Sequence, residues 1–197
     1  VGNHEHYHYD YKYTVLHLKK MLKYLPNLQI LDVESWTLHE EVTFVGGTLW
    51  TDMNKEDPIT LHAMTRMMND FRCVRNSNRQ VYSKVPVYEY DANGDLVRNE
   101  AGQPRQISMK MKERPATFSP EDAVEEHRKC LDYIKLVYEN MPPWKQMVVI
   151  GHHTPSTFSC HPKYAHDTIM NGGYHSDLSE FILDRPGIKL WTHGHTH

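Results

Sequence analysis

Three apolar stretches of this 197-residue chain each reach a glycine and then present asparagine or histidine. They are residues 1–5 (VGNHE), 148–155 (VVIGHHTP) and 191–197 (WTHGHTH). A buried strand that stops at a glycine, where the backbone can turn, presents the polar side chains that follow at the edge of its sheet. Three such strand ends in one chain predict a single metal site at one edge of a sheet.

Between these stretches, helical and strand patterns alternate. Apolar spacing and cap signals predict helices over 15–25, 57–71, 119–141 and 178–183, and strands over 28–32, 42–50, 146–150 and 188–192. Alternating strands and helices indicate an α/β domain with layered packing. The side chains of the second helix that are expected to face the core are Leu61, Met64, Met67 and Met68.

Residues 72–117 differ in character and are predicted to be an insertion or cap within the single domain. Asn93-Gly94 between alternating apolar runs predicts a β-hairpin. The spacing of Asp91, Asn93 and Asp95 also resembles the start of a calcium-binding loop, although the glycine comes too early for that motif. The region is rich in Lys and Arg, which indicates either a solvated face or a surface that guides substrate.

Composition restricts the partners and the compartment. Hydrophobic residues make up 39% of the chain and the formal net charge is -3, which is an ordinary globular composition and gives no overall nucleic-acid footprint. Nucleic acid stays a possible substrate, because bound metal ions attract phosphate locally. The odd number of cysteines, three, and their wide spacing predict a reducing, cytoplasmic setting. No apolar run is long enough to span a membrane.

The motifs resemble a known family. Gly2-Asn3-His4-Glu5, Gly151-His152 and the closing Gly194-His195-Thr196-His197 look like the third, fourth and fifth motifs of the calcineurin-like metallophosphoesterases, and residues 44–52 resemble a bacterial and phage branch. The resemblance implies an α/β fold with a layered β-sandwich flanked by helices. It also implies hydrolysis of a phosphate mono- or diester, including a small molecule or a nucleotide, by water bound to two divalent metal ions.

The resemblance also implies roles for individual residues. Asn3, His152 and His195 would hold one metal ion and His197 the other, with Mn, Fe, Zn or Ni as candidates because imidazole and amide ligands suit such ions. His4 would donate a proton to the leaving oxygen, and Glu5 could orient the His4 ring. Taken alone, an asparagine after a glycine is more often a turn residue.

The chain departs from the family pattern. In the family, an Asp-x-His motif at a strand end and then a Gly-Asp motif precede the motif that Gly2-Asn3-His4-Glu5 resembles. We therefore expect an internal piece of a longer protein, with little activity by itself; the alternative is a complete family member that has lost motifs. The competing function is a catalytically inactive scaffold or binding module on the same fold. A structural-metal protein is a weaker third reading, since no cysteine lies near these motifs.

Overall fold

The computed structural model describes residues 1–196, so His197 lies outside the described residues. It is a mixed α/β structure in which a four-stranded sheet has the order β1-β2-β5-β6. The strands are β1 (Glu34–Leu38), β2 (Val42–Gly46), β5 (Gln146–Ile150) and β6 (Ile188–Thr192). β1 runs antiparallel to β2, whereas β2, β5 and β6 are mutually parallel. The α/β class predicted from the sequence is therefore confirmed.

One face of this sheet packs on the long helix α5 (Pro120–Asn140). Val45, Met147 and Val149 are almost completely buried there and form a core cluster with Cys130 and Ile134 of α5. α5 begins as the sequence predicts. The Ser119 hydroxyl accepts from the Asp122 amide at 3.3 Å, and the Asp122 carboxylate accepts from the Ser119 amide at 2.9 Å. This reciprocal cap satisfies amide groups that have no partner within the helix.

The other face of the sheet is apolar and open. Strand register aligns Trp36, Phe44, Val148 and Leu190 in one row across the four strands. Trp36 is 39% exposed and Leu190 53% exposed. Ile150, one row further along, is 41% exposed. Residues 1–196 therefore bury one face of the sheet in a core and leave much of the other in water.

Two strand predictions are wrong in their bounds. Residues 28–32 do not form a strand; β1 follows them, after a positive φ of 52° at Val33. β1 is an edge strand with mostly exposed side chains, so it lacks the apolar signal used to find strands. β2 ends at Gly46 rather than residue 50, because Leu49 and Trp50 adopt positive φ values of 69° and 47° that an extended strand cannot accommodate.

The remaining helices lie around a second core, except α7 (Ser179–Leu183), which packs on the first core through Phe181 and Ile182. Those around the second core are α1 (Tyr11–Leu22), the one-turn left-handed α2 (Met53–Glu56), α3 (Pro58–Met67), α4 (Asp70–Cys73) and α6 (Thr168–Asn171). Met64 and Met68 are buried there beside Trp50 and Phe118. Met67 is 47% exposed, so its predicted core position is wrong: α3 turns that side of its last turn to solvent. None of the helices in residues 1–196 combines the length and the apolar character that a membrane crossing needs.

Residues Asn76–Ala116 form a separate compact unit. It is built on the antiparallel strands β3 (Arg75–Tyr88) and β4 (Gln106–Thr117), and we call this two-stranded element the ribbon. The segment between the strands contains the predicted turn, where Gly94 has a φ of 87° and its amide donates to the Asp91 carbonyl at 3.1 Å. The Asp91 carboxylate accepts from the amides of Asn93 and Asp95, which is the pattern of a turn residue.

Candidate metal centre

The parallel strands bring two of the predicted motifs to one sheet edge. β5 ends at Ile150 and is followed by Gly151-His152, and β6 ends at Thr192 and leads to Gly194-His195. The two loops are joined by hydrogen bonds, since the Gly151 amide donates to the Thr192 carbonyl and the Gly194 amide donates to the His152 carbonyl, both at 3.0 Å. Parallel pairing of β5 and β6 is therefore what places His152 and His195 side by side.

The first motif reaches the same edge from the start of the chain. Asn3 is 2% exposed and precedes a single turn of 3-10 helix, His4–His6. Its Oδ1 atom lies 2.8 Å from His152 Nε2, although the two residues are 149 positions apart. A side chain at Gly2 would not fit here, because a Cβ atom on Gly2 would lie 2.9 Å from His152 Cε1. The glycine thus permits the close approach that brings Asn3 to His152.

His195 completes the group of predicted residues within the described chain. Its ring centroid lies 5.2 Å from that of His152 and 4.2 Å from that of His153, and Tyr174 covers it at 4.6 Å. Its backbone has a φ of 64°, in the left-handed region that side chains other than glycine seldom adopt. Strained backbone is frequent at functional sites, where the surrounding structure holds it in place.

Burial sets the protonation of these imidazoles. Loss of solvent lowers the pKa of His152, despite the opposing influence of the Glu5 and Asp70 carboxylates. The pKa of His153, which is completely buried, is lowered well below its ordinary value for the same reason and because His195 lies beside it. Both rings are therefore neutral near pH 7 and each keeps a nitrogen lone pair.

Asp70 is a further residue of this site, and it is absent from the residues predicted from the sequence. This residue is 2% exposed, and its carboxylate accepts from Asn3 Nδ2 at 2.7 Å and from the Tyr7 hydroxyl at 3.1 Å. Because Asp70 engages the amide nitrogen of Asn3, it leaves the amide oxygen facing His152. In the sequence, Asp70 follows Asn69 at the end of a helical pattern, where an acidic residue is ordinary, so no local signal distinguishes it.

The two predicted catalytic residues lie on the 3-10 turn after Asn3. His4 is exposed and its ring centroid lies 4.6 Å from that of Tyr7. Glu5 is also exposed, and its Oε2 atom accepts from the Gly2 amide at 2.6 Å. This bond holds one oxygen of the Glu5 carboxylate at Gly2; the role of Glu5 toward the His4 ring stays a prediction. The predicted ligand His197 is outside the described residues.

The donor atoms fit part of a metal site. Two ligand atoms that bind one ion at about 2.1 Å and at a right angle lie roughly 3 Å apart. Asn3 Oδ1 and His152 Nε2 are 2.8 Å apart, close to that separation, and are joined by a hydrogen bond in which Nε2–H donates; a bound ion would take the place of that proton. An amide oxygen with imidazole nitrogens suits a borderline divalent ion. Within residues 1–196, however, no group of three or more His, Cys, Asp or Glu side chains is arranged to hold a metal ion.

Comparison of the chain with protein-family models, with curated proteins and with solved structures finds no match in any of the three. The function is therefore inferred from the geometry of this sheet edge and from the motifs that meet there.

Proposed function

We propose that this chain carries a divalent-metal centre that hydrolyses phosphate esters, as calcineurin-like metallophosphoesterases do. One observation supports the proposal above all. Asn3, His152 and His195 are distant in sequence and yet meet at one edge of a sheet, with Asn3 Oδ1 and His152 Nε2 2.8 Å apart. An amide oxygen and imidazole nitrogens are the ligand types that a borderline divalent ion takes.

Asn3, His152 and His195 would hold one ion, and His197 is proposed for a second. A pair of such ions, when bound, supplies an activated water and neutralises the oxygens of a phosphate ester. The protein's own part is to keep the ligands in place and in the correct protonation state. Asp70 holds the Asn3 amide with its oxygen toward His152, and burial keeps His152 neutral.

His4 is the proposed proton donor for the leaving oxygen. It directly follows the ligand Asn3 and is open to solvent, so a bound substrate could reach it and its proton could be replenished from water. The packing of its ring against Tyr7 restricts its orientation. Glu5 is proposed to orient the His4 ring, with one carboxylate oxygen held by the Gly2 amide.

The substrates that fit this chemistry are phosphate mono- or diesters, including nucleotides, and the candidate metals are Mn, Fe, Zn and Ni.

The fold that accompanies this function in the family is a layered β-sandwich. The open apolar row of Trp36, Phe44, Val148 and Leu190 supports that arrangement, since a second layer would cover it. If the row is open in this chain, Leu190→Ser should reduce the fluorescence of a bound hydrophobic dye; unchanged fluorescence would argue against a face that needs cover.

A second candidate function is a binding module of the same fold without catalysis. The ligand count favours it, because residues 1–196 contain no complete cluster of His, Cys, Asp or Glu ligands. A module of this kind would keep the arrangement of Asn3 and His152 but would not need the proton donor His4.

Metal binding is the first experiment. Titration of the 197-residue chain with Zn²⁺ in a calorimeter should show a saturable site. We expect Asn3→Ala and His152→Ala to weaken binding by at least about tenfold, since each removes a ligand. His62→Ala, which changes an exposed histidine on α3, is the matched control and should leave binding unchanged. Equal binding by all four proteins would place the metal elsewhere and remove the proposed centre.

Turnover is the second experiment and separates the two candidates. We expect hydrolysis of bis(p-nitrophenyl) phosphate with Mn²⁺ to be slow, to stop when EDTA is added and to be absent in His152→Ala. Zn²⁺ binding that depends on Asn3 and His152, without any turnover, would instead favour the binding module.

A further inference from the structure

The ribbon has two chemically different faces, although most of its residues are exposed. Side chains alternate between the faces of a strand. In β4, Ile107, Met109 and Met111 therefore lie on one face, and they are 58%, 51% and 58% exposed. The intervening Lys110 and Lys112, followed by Arg114, lie on the opposite face. One face of β4 thus presents three large apolar side chains, and the other presents three basic ones.

β3 follows the same division. Glu89 and Arg105, which directly flank the two strands, form an ion pair at 3.1 Å and a backbone hydrogen bond at 3.0 Å. At that end of the ribbon, this contact places odd-numbered positions of the two strands on one face. When the alternation is carried on from that end of β3, Tyr82 and Lys84 lie with the basic side chains of β4 and Val85 lies with the apolar ones.

The basic face contains no carboxylate. Residues 80–88 of β3 and 106–114 of β4 contain four cations: Lys84, Lys110, Lys112 and Arg114. Their one acidic residue is Glu113, which lies on the apolar side. Within the described chain, none of these four cations has an ion pair or a hydrogen bond to another residue. Residues 76–116 carry seven Lys or Arg and five Asp or Glu, whereas the whole chain has a net charge of -3.

We propose that the basic face of the ribbon binds the phosphate backbone of a nucleic acid. Charge complementarity identifies the ligand as a polyanion, since four unpaired cations share one surface. Tyr82 is 67% exposed on the same face and offers an aromatic ring on which a base can stack. A two-stranded ribbon also has the width that the major groove of a duplex admits. The net negative charge of the whole chain gives no indication of this local basic surface.

An anionic membrane fits the ribbon less well. Apolar side chains that enter lipid should have cations beside them, close to the headgroups. Here Lys110 and Lys112 lie on the face opposite to Met109 and Met111, so insertion of the apolar side would direct the cations away from the membrane. The arrangement favours a ligand that contacts the basic face alone.

The test is fluorescence anisotropy with labelled 20-nucleotide DNA, as a single strand and as a duplex, and with RNA of the same sequence. The 197-residue chain is used with EDTA present, so the result does not depend on the proposed metal centre. With four phosphate contacts, raising the salt from 50 to 200 mM should weaken binding roughly 50-fold for a single strand and roughly 150-fold for a duplex.

The variant that tests the surface is Lys110→Gln with Lys112→Gln and Arg114→Gln. We expect its binding at 50 mM salt to fall by at least tenfold, and the slope of log affinity against log salt for single strands to change by about 2. The matched control is Lys12→Gln with Lys20→Gln and Lys23→Gln, which removes the same charge from exposed positions on and near α1. The control should bind as the unaltered chain does.

Three results would overturn the proposal. They are no binding to any oligonucleotide at 50 mM salt, equal losses in the ribbon and control variants, and binding to vesicles containing phosphatidylserine without binding to oligonucleotides. Circular dichroism of both variants should match the unaltered chain, because every substituted side chain is exposed. If the ribbon variant loses affinity for one of the three oligonucleotides and keeps it for the others, that oligonucleotide is the one that the basic face binds.

Discussion

The candidate metal centre and the ribbon place polar side chains in opposite ways. At the metal centre, Asn3, Asp70 and His153 are each at most 2% exposed and are held by contacts between residues far apart in sequence. In the ribbon, Lys110 and Lys112 are in water and depend only on the alternation of one strand. The first arrangement fixes the direction of each donor atom, and the second only displays charge. The two proposals therefore make different demands: a metal centre needs donor atoms held in fixed directions, whereas binding of a polyanion needs only exposed positive charge.

The largest expected effect is that of replacing His4, the proposed proton donor beside the candidate metal centre. With metal bound, His4→Ala should reduce turnover of an alkyl phosphate ester by about 10²–10⁴-fold and that of an aryl ester much less, because an alkoxide needs a proton to leave and an aryl oxide does not. The measurement is kcat for both esters. Tyr90→Ala in the ribbon is the control and should change neither. Parallel losses on both esters with unchanged metal content would assign His4 to substrate binding or packing.

The next test compares the free energy of unfolding after substitution of one buried and one exposed methionine. Met64→Ala in the core should lower the free energy of unfolding by about 3 kcal/mol, because it leaves a cavity at a completely buried position. Met109→Ala in the ribbon should change it by less than about 0.5 kcal/mol, since half of that side chain is already exposed. Urea unfolding measures both. A large loss for Met109→Ala would show that the apolar face of the ribbon is covered in solution.

A substitution at Asp70 tests whether Zn²⁺ binding depends on the carboxylate that holds the Asn3 amide. Asp70→Asn should cost about 2 kcal/mol of stability, because two buried donors lose a charged acceptor. It should also weaken Zn²⁺ binding by about tenfold or more, since the orientation of Asn3 is no longer fixed. Asp95→Asn, at an exposed turn in the ribbon, should do neither. If stability falls and metal affinity is unchanged, Asp70 is a packing residue only.

The smallest expected effect is a pH dependence. His6 is 1% exposed, and burial lowers its pKa to about 4 from an ordinary value of 6.5. A histidine that is neutral in the folded state stabilises the fold above its unfolded pKa, and this contribution is lost as pH falls from 6.5 toward 4. Between pH 7 and pH 5.5 the loss is about 1 kcal/mol. Comparison of urea unfolding at the two pH values should show that His6→Leu reduces this difference, whereas His17→Leu, at an exposed position, does not.

The parts of the fold that follow local rules could be predicted from the sequence. The bounds of β5 and β6 were predicted to the residue, because each is an apolar run ending at a polar loop. The start of α5 was predicted from Ser119 and Pro120, whose roles are set by their immediate neighbours. Convergence was predicted for Asn3, His152, His195 and His197, since strand ends that present ligands share a sheet edge; the first three lie together, and His197 is outside the described residues.

What could not be predicted depends on distant contacts. Asp70 acquires its position from Asn3 and Tyr7, which lie more than sixty residues away. β1 is recognisable only through its pairing with β2, because its own side chains are mostly exposed. Met67 fits the apolar pattern of α3, but which side of the last turn meets the core is decided by elements that follow later in the chain.

The contact between Asn3 and His152 also bears on the order in which the molecule folds. Closing a loop of 149 residues costs about 2 kcal/mol more in chain entropy than closing the short one between Glu89 and Arg105. We therefore expect the ribbon to form early and the metal centre to be among the last parts to assemble, after the strands that carry His152 and His195 have paired. Pulse-labelled hydrogen exchange should protect amides of β3 and β4 before that of His6, whose amide hydrogen bond to the Asn3 carbonyl holds the first motif in its turn. Under the proposed function, the metal would bind only once the larger unit had folded, so a partly folded chain would carry no metal centre.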